Sequence, residues 1–230
     1  MYISQRALTV MRGILKRYGP SSIKRRLWNQ EFSGSHWDFI DNTVGDCVYL
    51  HLEKHLKRGS ILDLGCGPGN TANELPPTAY GTYLGVDISE AALRKAKRRT
   101  EQNGRAGKNH FVCSDFINYV PTQQFDVILF RESMYHVPLR RIKPVLDHYS
   151  KYLTASGVFI VRMNTSGPSG QPKPRLTAAM SIMETEFAVV EKCRYGDSGP
   201  TVVVFRPISA AEGLTEHLEE ENIDTLARTK

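Results

Sequence analysis

The pattern of hydrophobic and polar positions changes along the chain from helical spacing to an alternation of short apolar runs and helical segments. Residues 5–18 carry apolar side chains at helical spacing and stop at Gly19-Pro20, and residues 44–57 predict a second helix. Further along, the predicted strands are residues 60–64, 82–87, 109–113, 125–130 and 157–162. One predicted helix starts near Thr71, and two others cover residues 89–103 and 139–152. This order is typical of a doubly wound, mainly parallel sheet with helices on both faces.

The alternation ends in the last quarter of the chain. Residues 174–184 predict another helix, and two β-rich runs follow at residues 187–194 and 201–206. Residues 195–200 (YGDSGP) lie between these runs and have strong turn chemistry. The two runs therefore predict a C-terminal antiparallel hairpin, which completes a seven-stranded α/β sheet.

The length and composition suit one domain with extensions at both ends. The chain has 230 residues, of which 40% are hydrophobic and 23% are charged, so it can bury a full core. We expect an N-terminal helical extension and lid over residues 1–57, a core domain over residues 58–207 and an acidic polar tail over residues 208–230. The sequence contains neither an apolar run of roughly 20 residues nor the apolar core of a secretory signal. We therefore expect a cytoplasmic protein without a transmembrane segment.

The charge is unevenly distributed along the chain. The net charge is +6, and residues 1–30 contain basic side chains and no acidic one. The basic side chains of this segment are Arg6, Arg12, Lys16, Arg17, Lys24, Arg25 and Arg26. Such an arm can make a weak contact with phosphates or an anionic membrane surface. The alternative, that it is only a solvated helix face, remains open at this point.

The cysteines give no sign of a metal site or a disulfide framework. Cys47, Cys66, Cys113 and Cys193 are far apart, and no CxxC motif or Cys/His cluster joins them in the sequence. Cys66 lies in a glycine-rich turn, where a small residue is needed. We therefore expect no bound metal.

The most informative segment is the glycine-rich turn between the first predicted strand and the helix that follows it. Gly65, Gly67 and Gly69 lack Cβ atoms, which lets a ligand approach the backbone where open α/β sheets bind ligands. Asp63 precedes the glycines and would repel a phosphate but attract an amino group. The turn also lacks the GK[ST] sequence of a nucleoside triphosphate site. Asp87 ends the next strand, where a carboxylate can accept from both hydroxyls of a ribose, unless it caps the following helix.

Five segments, taken together and in this order, resemble the motifs of class I S-adenosylmethionine-dependent methyltransferases. They are DLGCGPG (63–69), YLGVDIS (83–89), CSDF (113–116), FDVILFRESMYHV (125–137) and LTASGVFIVR (153–162). The combination covers about residues 58–206 and is far more specific than any one motif. The resemblance implies that residues 58–207 form a Rossmann-like domain that binds S-adenosylmethionine and releases S-adenosylhomocysteine.

The resemblance also implies which residues contact the cofactor. Asp63 would contact its amino group, Asp87 its ribose hydroxyls and Asp115 its adenine amino group. Ile88 and Phe116 would lie beside the adenine ring. The full set implied for the cofactor is Asp63, Gly65, Cys66, Gly67, Gly69, Asp87, Ile88, Asp115, Phe116 and Arg131.

Catalysis and the acceptor are less well defined by the resemblance. His136 matches a histidine of the family and is a candidate general base, with a purely structural role as the alternative. Glu132 is the second catalytic candidate. Trp37, Tyr135 and Arg162 are the candidates for contact with the acceptor, and Trp37 would belong to the N-terminal lid.

We expect a small-molecule acceptor that is methylated at oxygen or nitrogen, with no specific nucleic acid. Three basic residues lie at or beyond the C-terminal ends of predicted strands, where such sheets bind ligands: Arg131, Arg162 and Lys173. They indicate an acceptor that carries a carboxylate, sulfate or phosphate. Two alternatives remain open: an RNA methyltransferase, which would suit the basic balance, and a non-catalytic cofactor-binding subunit. A nicotinamide-dependent oxidoreductase is disfavoured by Asp63 and by the antiparallel ending. The sequence does not determine the oligomeric state.

Overall fold

The computed structural model describes residues 5–34, 43–167 and 171–208, and three helices precede the sheet. They are α1 (Gln5–Tyr18), α2 (Ser21–Ser33) and α3 (Val48–Leu56). The break predicted at Gly19-Pro20 is confirmed, since α1 ends at Tyr18 and Pro20 is the N-cap of α2. The sequence did not predict α2, and α3 begins four residues later than expected.

Seven strands form one sheet, and further helices connect them. In chain order the elements are β1 (Ser60–Leu64), α4 (Asn70–Glu74), β2 (Thr82–Asp87), α5 (Glu90–Gln102), β3 (Asn109–Cys113), β4 (Phe125–Arg131), α6 (Leu139–Ser150), β5 (Leu153–Met163), α7 (Pro174–Glu186), β6 (Ala188–Arg194) and β7 (Thr201–Arg206). The strand order is β3-β2-β1-β4-β5-β7-β6. Strands β1 to β5 pair in parallel, whereas β7 is antiparallel to both β5 and β6. The predicted α/β sheet with a closing antiparallel hairpin is therefore confirmed.

Successive residues of the central strands bury their side chains on opposite faces of the sheet, as the pleat of a strand requires. In β4, Ile128 and Phe130 join a core that also contains buried residues of α6 and α7. Val127 and Leu129, on the same strand, join a second core under α3, α4 and α5. Helices therefore cover both faces, which is why these strands read as nearly continuous apolar runs.

The boundaries differ from prediction mainly where polar residues continue an element. Strand β5 begins at Leu153 instead of residue 157, because Phe125 pairs with Leu153 before the register shifts. Helix α7 extends to Glu186, two residues beyond the predicted end. In the described part of the chain, no helix combines the length and the apolar content that crossing a bilayer demands.

Candidate active site

The glycine-rich turn lies at the carboxyl end of β1, between that strand and α4. Strand β1 has β2 on one side and β4 on the other, so the chain crosses to opposite sides of the sheet at this point and leaves a crevice there. Gly65 has a φ of +84°, and a Cβ built on it would lie 2.5 Å from Ser133 Cβ. Only glycine fits this position, which brings the backbone of the turn to the edge of the crevice.

Asp63 places a partly unsatisfied carboxylate beneath this turn. It is 1% exposed, and its Oδ2 accepts a hydrogen bond of 2.7 Å from Tyr83 Oη. Its other oxygen, Oδ1, is buried and has no hydrogen-bond partner among the described residues. Burial raises the pKa of Asp63 to about 6, because desolvation penalises the charged form. A cationic donor in the crevice would satisfy Oδ1 and favour ionisation.

Asp87 connects the glycine turn to the start of α5. Its Oδ2 accepts from the Gly67 backbone N–H and its Oδ1 from the Ser89 N–H, each at 2.8 Å. Ser89, not Asp87, is the N-cap of α5, since its side chain accepts from Ala92 N. Burial raises the pKa of Asp87 to about 6. Each oxygen retains a lone pair that can accept from a ligand.

Asp115 follows β3 and is held by the N-terminal helix α2. Its Oδ2 accepts from Ser21 Oγ at 2.8 Å and from Lys24 Nζ at 3.1 Å, while its Oδ1 accepts from the Ile117 backbone N–H at 3.1 Å. Lys24 is itself buried, at 8% exposure. Helix α2 is therefore anchored to the end of the sheet at this carboxylate. Phe116, beside Asp115, lies edge-on to Phe130.

A cavity of about 660 Å³ joins these groups, which is within the usual range for small-molecule and cofactor sites. Nine of the ten residues implied for the cofactor line it: Asp63, Gly65, Cys66, Gly67, Asp87, Ile88, Asp115, Phe116 and Arg131. The tenth, Gly69, lies behind the turn, where a Cβ would be 2.7 Å from Ala96 Cβ. Lys16 of α1 and Lys24, Trp28 and Phe32 of α2 also line the cavity.

Both catalytic candidates line the same cavity. His136 lies in a 3₁₀ turn after β4 (Met134–His136), with its ring edge-on to Trp28 at a centroid distance of 4.9 Å. Burial, followed by the positive charges of Lys16 and Arg17, lowers the pKa of His136 to about 3. The imidazole is therefore neutral at ordinary pH and is only a weak proton acceptor.

Glu132 belongs to a network of four charges at the carboxyl ends of β4 and β5. Arg131 Nη2 lies 2.9 Å and Arg162 Nη2 3.2 Å from Asp46 Oδ2, and Arg162 also pairs with Glu132. Burial would raise the pKa of Asp46, but the two guanidinium groups outweigh it and hold that pKa below its usual value. Burial raises the pKa of Glu132, partly offset by Arg162. The two positive charges of Arg131 and Arg162 therefore neutralise the two negative charges of Asp46 and Glu132.

Sequence reasoning found some of the lining residues and missed others. Tyr135 and Arg162 line the cavity as expected, whereas Trp37 lies outside the described residues. Asp46, Lys16 and Lys24 were not identified, because none belongs to a local motif. Trp28 and Phe32 are four residues apart, a spacing that indicates a helix with both side chains on one side. This spacing could have predicted α2.

A separate cluster of polar side chains links α3 to the edge strand β6. Glu191 accepts from Lys54 Nζ at 2.9 Å, and its Oε1 lies 3.3 Å from His51 Nδ1 and 3.7 Å from Cys193 Sγ. The hydrogen bond from Lys54 lowers the pKa of Glu191 to about 2 despite its partial burial. His51 Nε2 also lies 2.7 Å from Tyr195 Oη. Spacing along the sequence did not predict this cluster, whose residues are not part of the cavity lining.

Comparisons with known proteins agree with this geometry. Residues 61–157 match a family model described as a methyltransferase domain. The sterol 24-C-methyltransferase erg6 of Aspergillus fumigatus is 29% identical over 137 residues, which are 55% of this chain and 36% of that protein. A ribosomal protein L11 methyltransferase of Chromobacterium violaceum is 33% identical over 103 residues, which are 44% of this chain and 32% of that protein. The chain thus spans about a third of the length of these curated relatives.

Among solved structures, the fold is shared with the N-methyltransferase NodS from Bradyrhizobium japonicum, crystallised with S-adenosylhomocysteine. The TM-score is 0.62 at 16% sequence identity, and the match covers 80% of this chain and 98% of NodS. At this identity the likeness concerns the fold alone.

Proposed function

Because the chain carries a class I, Rossmann-like methyltransferase domain, we propose that it transfers the methyl group of S-adenosylmethionine to an oxygen or nitrogen atom of a small molecule. The observation that carries this proposal is the buried Oδ1 of Asp63 beside the glycine turn, which accepts no hydrogen bond from the described part of the chain. The names of the relatives describe a sterol, a ribosomal protein and an N-methyl transfer, so they leave the acceptor open. The size and enclosure of the cavity support a small acceptor.

We propose one contact for each residue around the turn with a part of the cofactor. Asp63 Oδ1 would accept from the amino group, and the side-chain-free face of Gly65 would adjoin the methionine part. Asp87 has lone pairs left for the ribose hydroxyls. Phe116, whose ring lies close to Gly65, would offer an aromatic surface for the adenine ring. The buried carboxylate of Asp63 favours an amino acid joined to a nucleoside over a dinucleotide, whose phosphates Asp63 would repel.

Bound S-adenosylmethionine supplies a methyl group on a positively charged sulfur, which is already electrophilic. The chain then has to align the acceptor with that group and keep water out. Trp28 and Phe32 of α2 line the cavity, where their aromatic side chains would keep water out. We propose that residues 1–57 act as a lid through these side chains, anchored by Lys24 on Asp115.

His136 is better suited to orienting the acceptor than to acting as a general base. With a pKa of about 3, a neutral imidazole can accept a hydrogen bond from the acceptor but holds a full proton poorly. Glu132 is committed to Arg162 and to the Asn164 backbone N–H, which donates to it at 3.0 Å. We propose that His136 orients the nucleophile and that Glu132 fixes Arg162 at the acceptor end of the cavity.

The charge balance around Arg131 and Arg162 argues against the anionic acceptor that these cations suggest on their own. Both guanidinium groups already face the carboxylate of Asp46. An anion entering here would have to compete with the carboxylate of Asp46 for these guanidinium groups, and separating a buried ion pair is costly. We therefore propose an acceptor without net charge at this end.

The test has two parts. Calorimetric titration of the intact chain should show one molecule of S-adenosylhomocysteine bound, and Asp87→Asn should weaken binding by about tenfold or more through loss of charge-assisted hydrogen bonds. Incubation with methyl-labelled S-adenosylmethionine and fractionated cell extract should then label a low-mass fraction. Label in RNA would instead favour an RNA methyltransferase, and binding without any transfer would favour a non-catalytic subunit. No binding heat at all would refute the proposal.

A further inference from the structure

Helix α1 presents its apolar face to the outside. None of its residues is buried. Val10, Met11, Ile14 and Tyr18 are 62%, 46%, 50% and 54% exposed. Their spacing places them on one side of the helix. A surface helix of a globular protein normally turns such a stripe towards the core, whereas these four side chains of α1 are exposed.

Two charged side chains of α1 attach it to the rest of the chain. Lys16 pairs with Glu31 of α2 and lies 3.9 Å from the centre of the Trp28 ring. Arg17 Nε donates to the backbone oxygen of Tyr135 at 3.3 Å. These contacts come from charged side chains, and the apolar side chains of the stripe stay exposed.

The sequence of α1 and of the first ten residues of α2 is basic and contains no acidic residue. Residues 1–30 contain no Asp or Glu. Arg6 is exposed on α1, and Arg25 and Arg26 are exposed on α2, which also leaves Ile23 38% exposed. The surface therefore combines apolar side chains with positive charge.

We propose that α1 docks on an anionic membrane surface, with Val10, Met11, Ile14 and Tyr18 entering the interface and the neighbouring arginines contacting lipid headgroups. An anionic bilayer uses both properties of this surface, since apolar burial and electrostatic attraction add. RNA would use the charge but leave the apolar stripe in water. A second copy of the chain would cover the stripe but bring two basic segments together, which is unfavourable.

The experiment is co-sedimentation of the full chain with lipid vesicles. Vesicles of phosphatidylcholine with about one third phosphatidylserine should bind the protein, whereas pure phosphatidylcholine vesicles should bind it weakly. Binding should fall when the salt is raised to about 0.5 M, because the headgroup attraction is screened. The double variant Val10→Ser, Ile14→Ser should bind at least about tenfold more weakly, since it removes apolar area from the interface.

Matched controls separate docking from folding and from the cofactor site. Leu50→Ser and Val120→Ser change side chains that are 65% and 59% exposed elsewhere, and should bind vesicles like the wild type. S-adenosylhomocysteine affinity, measured on every variant, should stay unchanged, so the docking proposal and the proposed function can fail separately. The docking proposal is overturned if phosphatidylserine vesicles do not bind, or if Val10→Ser, Ile14→Ser binds as well as wild type. It is also overturned if that variant only dissociates a dimer or only alters RNA binding.

Discussion

At the scale of single residues, the buried carboxylate of Asp63 couples stability to pH. Its pKa in the folded chain is about 6, above the value of about 3.9 for an unfolded aspartate. Folding therefore favours the protonated form. Stabilisation from this group is complete below about pH 4 and is lost as pH rises through about 6.

Replacing Asp63 by an amide should remove this pH dependence of stability. Without cofactor, Asp63→Asn should gain stability relative to the wild type as pH rises from about 4 to about 6, by roughly 1 to 3 kcal/mol, because the amide never has to be charged. Urea unfolding of both proteins across this range measures the difference, in which the contributions of other titrating groups cancel. Parallel stability curves for the two proteins would contradict the predicted pKa shift.

The same residue gives a second prediction on binding. Asp63→Asn should weaken the binding of S-adenosylhomocysteine by about tenfold or more at neutral pH, since an ammonium group loses a charged acceptor. Wild-type affinity should also rise as pH rises through about 6, because binding favours the ionised carboxylate. Asp126→Asn is the control. Asp126 accepts from the Ser60 backbone N–H at 2.8 Å and does not line the cavity, so this variant should lose stability but not affinity.

At the scale of elements, local pattern predicted the strands well and the N-terminal helices incompletely. The central strands are mostly apolar because helices cover both faces of the sheet. Such apolar runs can be recognised in the sequence without knowledge of tertiary contacts. Helix α2 has few apolar residues, of which Phe32 is the one that becomes buried, and its sequence is dominated by basic and polar side chains. Its position depends on tertiary contacts, such as Lys24 with Asp115, 91 residues further along the chain. No local pattern contains such a contact.

The lid proposal for α2 leads to a third prediction. If α2 opens only when the cofactor leaves, saturating S-adenosylhomocysteine should slow backbone hydrogen exchange in residues 21–34. At a concentration about 100-fold above Kd the slowing should approach about 100-fold. Residues 188–194 of the edge strand β6, which do not line the cavity, are the internal control and should exchange as before. Equal exchange of α2 with and without ligand would argue that this helix is a fixed wall.

A fourth prediction concerns the tie between α3 and the ends of β4 and β5. Asp46, just before α3, is 7% exposed at its side chain and lies between Arg131 and Arg162. Asp46→Asn should cost about 2 kcal/mol or more, because two partly buried guanidinium groups lose their shared counter-charge. The double variant Asp46→Asn, Arg131→Met should recover part of the loss, as a double-mutant cycle by urea unfolding would show. A cost below about 0.5 kcal/mol would mean that the pair is effectively solvated.

At the scale of the whole molecule, the cavity and the C-terminal hairpin occupy different parts of one sheet. The carboxyl ends of β1, β2 and β4 supply the groups around the cavity, as the glycine turn and Asp87 indicated from sequence. The pairing of Arg131 with Asp46 spans 85 residues and could not be predicted, because it depends on where α3 lies against the sheet. The hairpin of β6 and β7 forms one edge of the sheet, and Phe205 of β7 packs against Phe187, the C-cap of α7. Stability and binding should therefore respond separately to mutation.

Phe205 provides the test of this separation. Its side chain is fully buried, stacks on Phe159 at 5.2 Å and lies 5.3 Å from Phe187. Phe205→Ala should lower the free energy of unfolding by about 3–5 kcal/mol through lost apolar burial and a residual cavity. Phe205 is not among the cavity-lining residues, so the affinity of the folded variant for S-adenosylhomocysteine should match the wild type.

Urea unfolding and calorimetry on the same preparations measure the two quantities. Val190→Ala is the matched control. Val190 is 49% exposed on β6, and its truncation should change stability by no more than about 0.5 kcal/mol. If Phe205→Ala leaves too little folded protein for titration, Phe205→Leu keeps most of the packing and should show the same pattern at a smaller cost in stability. A parallel loss of affinity in Phe205→Leu would mean that the hairpin core and the cofactor crevice are one mechanical unit, since the substitution can reach the crevice only through the sheet.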